Sequence, residues 1–112
     1  MSNQLNKAAQ VTLNAAGSGQ VSLGPSVSAG PAQWTVDALL WGTSRPGVAP
    51  IPRIQVFLDN TDASGLQCQS YDGSFGSASG TVSVSRGSNL IAVWTGGNPG
   101  DTASLSVTGV TQ

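Results

Sequence analysis

Surface chemistry needs ionisable or nucleophilic side chains, and this sequence offers few. It has no histidine and no glutamate; the acids are Asp37, Asp59, Asp62, Asp72 and Asp101, the bases Lys7, Arg45, Arg53 and Arg86, and the one thiol Cys68. Without histidine, a Ser-His-Asp triad, a Cys-His pair and a histidine-ligated zinc or copper centre are all excluded. An Asp-based hydrolase is the one enzymatic reading left, and the expectation is that the chain is not an enzyme. Asp59 and Asp62 in "LDNTDASG" are close enough in sequence to share a Ca²⁺. An EF-hand loop, however, sets oxygen ligands at alternate positions and closes on a glutamate, and Ala63 breaks that alternation. Asp and Asn clustered in this way ordinarily bond their own backbone in Asx-turns, so the stretch reads as a solvated turn. No metal and no cofactor is expected. Cys68 has no second cysteine to pair with and no histidine to activate it, so it reads as a small buried hydrophobe.

A knot of glycines at "TGGNPGD", Thr95 to Asp101, invites comparison with a phosphate-cradling loop. A P-loop needs Gly-Lys-Ser/Thr opening a helix, whereas here "TASLSV" opens a strand. Asn98-Pro99-Gly100-Asp101 has proline at the second turn position and glycine at the third, as a type II turn requires. The knot therefore reads as a hairpin turn between two strands. The aromatic residues divide by phase. Trp34 and Trp94 alternate with inward-facing apolar neighbours and belong to the core. Trp41 falls on the opposite face, beside a proline loop, and is expected to be exposed. Its contact would be a sugar, a peptide or a neighbouring subunit; the subunit is favoured, because aromatic residues are enriched in interface cores. With Tyr71 it would form a carbohydrate platform instead.

The elements that must position these residues are strands. Ser, Thr, Gly and Val dominate the 112 residues and only 8% are charged, a composition suited to pleated surfaces and poor for helices. Four scattered cations and a net charge of −1 exclude a phosphate-tracking surface, so no nucleic acid is expected. No segment is basic and amphipathic or long and apolar enough for a membrane role, and "MSNQLNKAAQ" lacks the apolar run of a secretory signal. Residues 1–9 read as an N-terminal arm, flexible or partner-bound, ahead of a domain over 10–112. Alternating runs occur at "QVTLN" and "QVSLG", expected as a hairpin over 10–24, then at "WTVDALLW", "RIQVFLDN", "GLQCQSY", "TVSVS", "NLIAVWT" and "TASLSVT". In "WTVDALLW" one face holds Trp34, Val36, Ala38 and Leu40. The other turns from polar to apolar halfway, the mark of a bulge or of an end covered by another chain. "GSFGSASG" reads as loop, and "GTSRPGVAPIP" as a loop fixed by Pro46, Pro50 and Pro52. Eight short strands separated by turn signals imply an all-β fold: a single-domain antiparallel β-sandwich, jelly-roll-like, with helix nearly absent.

From "LGPSVSAGPAQWTV" through "IQVFLDN" to "GSNLIAVWTGGNPGDTASLSVTG", residues 10–110 resemble a small β-sandwich virion structural protein of actinobacterial tailed phages. "VWTGG" is the distinctive part of the pattern. Arg53 departs from it, standing where such proteins carry a polar residue or cysteine. The resemblance implies a tail-associated or head-decorating component, made in the host cytoplasm and located in the virion, with no catalytic residues. Its partners would be other virion proteins and copies of itself, in a homo-oligomer such as a trimer, with a host surface glycan as a further ligand. The expected interface anchors are Leu5 on the arm, Trp41, Pro46, Pro50 and Pro52. The alternative is a carbohydrate- or receptor-binding β-sandwich module.

Overall fold

A computed structural model of the chain describes residues 3–24, 33–44, 51–70, 75–85 and 87–111. Eight strands run in order: β1 (Asn3–Thr12), β2 (Gly19–Leu23), β3 (Gln33–Thr43), β4 (Arg53–Leu58), β5 (Leu66–Ser70), β6 (Phe75–Ser85), β7 (Leu90–Thr95) and β8 (Thr102–Thr111). A single 3₁₀ turn at Ala63–Gly65 precedes β5. The strands form two antiparallel four-stranded sheets, ordered β1-β8-β3-β6 and β2-β7-β4-β5. Each connection carries the chain across to the other sheet, except that between β4 and β5, which pair directly. This is the winding of a jelly roll, a double-sheet solution for antiparallel chains. The expected sandwich and its strand number are therefore found.

Two expectations of local pairing are not. Residues 10–24 are no hairpin, because β1 pairs with β8 while β2 pairs with β7 in the other sheet. The knot at 95–101 likewise joins strands of different sheets, so it is a corner and not a hairpin turn. Alternation tells which face a residue takes, but it does not tell which strand lies alongside. The arm expected over residues 1–9 also fails for residues 3–9. They form most of β1, in register with β8 from Asn3↔Thr111 to Thr12↔Thr102.

The core lies between the sheets. The β2-β7-β4-β5 sheet contributes Val21, Ile54, Val56, Leu90, Ala92 and Trp94; the facing sheet contributes Leu5, Trp34, Val36, Leu39, Trp41, Val84, Ala103, Leu105 and Val107. The phase change in β3 is a bulge, the first of the two readings the sequence left open. Val36 pairs with Gly109 and Ala38 with Thr108, which leaves Asp37 unpaired with β8 and exposed. That extra residue turns the strand over: Trp34 and Val36 point inward before it, Leu39 and Trp41 after it. Large side chains are seated beside small ones. Trp94 pairs with Gly19, and Trp41 pairs with Gly76, where an added Cβ would stand 2.8 Å from the indole Nε1.

Candidate functional site

At one end of the sandwich two corners interlock. In the first, the Asn14 side chain accepts from the amides of Ala16 (2.9 Å) and Ser18 (3.1 Å), and Gly17 takes a positive φ of 74°. In the second, the amide of Asp101 donates to Asn98 O at 3.2 Å around Gly100, whose φ of 86° matches the expected type II turn. Three backbone bonds tie the corners together: Leu13 N–H to Asp101 O (2.8 Å), Gly100 N–H to Leu13 O (3.0 Å) and Gly97 N–H to Gly17 O (2.9 Å). The approach is too close for a side chain, since a Cβ on Gly17 would fall 1.9 Å from Gly97 O. The amides of Leu13, Gly97, Gly100 and Asp101 thus bond backbone carbonyls. These glycines serve the corner contact.

The Asp59 stretch is also a structural tie. Asp59 adopts φ 69°, and its carboxylate accepts from Asn89 N–H at 3.2 Å and Ser88 Oγ–H at 3.3 Å. Asn60 Oδ1 accepts the amide of Asp62 at 3.0 Å, the Asx-turn expected there. Asp59 is therefore engaged with the turn before β7, and Asp62 is held beside it by local backbone bonds. No group of three or more metal-ligating side chains occurs among the described residues. Cys68 is half-buried against the core, and burial pushes its thiol up from the ordinary value. The raised value keeps the neutral thiol in the fold, so its contribution to stability is full below the unfolded pKa and is lost as pH rises through the folded one.

The expected interface anchors are placed differently from the expectation. Leu5 is 1% exposed and Trp41 7%, both within the core of their own chain. Leu5 is closed to a neighbour, and Trp41 reaches the surface only as part of the lining of a shallow hollow. The bulge at Asp37 is the reason for Trp41, and the pairing of β1 with β8 the reason for Leu5. Pro52 is buried, against Gly97. Pro46 and Pro50, and Tyr71 of the carbohydrate platform, lie outside the described residues.

What the surface does present is the outer face of the β1-β8-β3-β6 sheet. Its cross-strand rows read Ala8–Ser106–Leu40–Ser77 and Gln10–Ser104–Gly42–Phe75. A shallow hollow of about 290 Å³ is lined by Leu40, Trp41, Gly42, Thr43, Phe75, Ser104 and Ser106. Leu40 is 42% exposed and Phe75 73%. None of the residues in these rows is ionisable. Sequence reading missed Phe75, because its segment is glycine- and serine-rich and reads as loop. The usable signal was Phe75 and Ser77 alternating with the Gly76 that faces Trp41. No protein-family model and no curated protein sequence matches the chain.

Proposed function

We propose that this protein is a non-enzymatic structural component on the surface of a tailed-phage virion, a head-decoration or minor tail protein that assembles with other virion subunits. The observation that carries the reading is the pair of uncharged cross-strand rows on the outer face of the β1-β8-β3-β6 sheet, built from small and polar residues around exposed Leu40 and Phe75. Such rows offer nothing for general acid–base work and suit contact with another surface by shape. Jelly rolls recur in viral capsid and lectin domains, an analogy of fold that supports the reading without deciding it. The resemblance over residues 10–110 points the same way.

Immunogold electron microscopy of particles from the source lysate tests it. Gold over heads is expected for a decoration protein and gold at the tail for a tail component. Unlabelled particles, in a lysate where a blot detects the chain, would overturn the virion role.

A second reading, a carbohydrate-binding module, is favoured by one feature. The hollow sets the open ring of Phe75 near the hydroxyls of Ser104 and Ser106, a pairing of apolar face and hydrogen-bonding groups that suits a neutral sugar. Glycan-array binding that disappears in Phe75→Ala, with the fold retained, would establish it.

A further inference from the structure

Two open sheets leave four edges among the described residues, at β1, β6, β2 and β5. An edge strand carries unpaired N–H and C=O groups along one side, and soluble proteins blunt such edges with charge, proline, bulges or shortness. β2 and β5 are five residues each. β1 carries Lys7, which pairs with buried Val107 and so shares the inward phase of Leu5 and Ala9, yet is exposed. An inward-phase charge at a rim is a recognised guard against pairing. β6 differs from all three. It runs for 11 residues, Phe75–Ser85, with neither charge nor proline. Its one interruption is at Gly80 and Thr81, which lie opposite the Asp37 bulge; Phe75–Ser79 and Val82–Ser85 keep regular register with β3 on either side of it. The same strand bears Phe75, the most exposed large apolar side chain among the described residues.

We infer that β6 is an assembly edge and that its occupant is the β6 of a second copy of this chain. Pairing is antiparallel, joining two four-stranded sheets into one eight-stranded sheet across a two-fold axis. A strand paired antiparallel with its own copy is complementary to itself, which is what a closed dimer requires. Head-to-tail pairing of β6 onto β1 would meet the guarded rim at Lys7, and β2 and β5 offer little length. In the symmetric pair, Phe75 leaves water for cross-strand neighbours on the outer face. This deepens the assembly role proposed above and rests on it.

Sedimentation equilibrium of the full chain, from micromolar to millimolar concentration, tests the pairing. A monomer–dimer equilibrium is expected. Ser77→Lys with Ser83→Lys, both at exposed positions of β6, should weaken it at least tenfold without lowering the melting temperature at dilutions where the chain is monomeric. Asn6→Lys on β1 should leave it unchanged. A chain monomeric throughout, a dimer indifferent to the β6 lysines, or one equally sensitive to Asn6→Lys would overturn the inference. Should the double variant fail to fold, hydrogen exchange of the unaltered chain decides. β6 amides gain protection with concentration while those of β1 do not, and equal behaviour of the two edges overturns the pairing. A monomer that still labels particles would remove the β6 dimer and keep the virion role; a dimer absent from particles would do the reverse.

Discussion

Trp41 and Trp94 bring indole N–H groups into the interior with no hydrogen-bond partner among the described residues. An orphaned buried donor costs about 1–3 kcal/mol. Burying an indole of ~200 Å² at ~25 cal/mol per Å² contributes about 5 kcal/mol, so burial wins at both positions. Trp41→Ala should therefore act on stability, by about 3–5 kcal/mol, because it empties a site the glycine opposite cannot fill. A denaturation midpoint within error of the parent would put the indole at the surface after all. Trp34 and Trp94 were legible as core from phase alone. Trp41 was not, since one additional residue at Asp37 reverses the phase of the rest of the strand.

At the scale of the element, that bulge needs a particular partner. Gly109 on β8 sits beside it with φ 157°, and an added Cβ would stand 2.0 Å from Thr35 O. Gly109→Ala should cost about 3 kcal/mol, since β3 and β8 must part to admit it. Gly100→Ala supplies the contrast: nothing lies within 4 Å of its Cβ, so only the positive φ of 86° opposes it, at about 1 kcal/mol. Chemical denaturation of the two variants should rank them in that order, and equal losses would deny the close approach at Gly109. Strand existence was largely legible, because each strand buries one face and its alternation survives in the sequence. Pairing was not. Asn14-Ala15-Ala16-Gly17 and Asn98-Pro99-Gly100-Asp101 have the turn chemistry of hairpins and serve as corners, where the chain leaves one sheet for the other. The first half of β6 was hidden for another reason: glycine and serine there carry no hydrophobic pattern, although the strand is held by its register with β3.

The molecule as a whole is tied together by contacts distant in sequence. Among the described strands only β4 and β5 pair as sequence neighbours; β1 and β3 both pair with β8, and β2 with β7. Closing such loops costs entropy before any contact offsets it, so refolding from denaturant should take milliseconds to seconds. Stopped-flow Trp fluorescence measures this directly, and a microsecond phase carrying the whole amplitude would mean that local structure dominates. Before that closure Leu5, which ends 1% exposed, has no cover. During synthesis the consequence is one of order. The ribosome delivers β1 some ninety residues before β8, its described backbone partner. At ~5–20 residues per second, that strand waits on the order of 5–20 s as an unpaired ribbon. Each new molecule passes through an interval in which a chaperone, a protease or another nascent chain can reach the strand before β8 does.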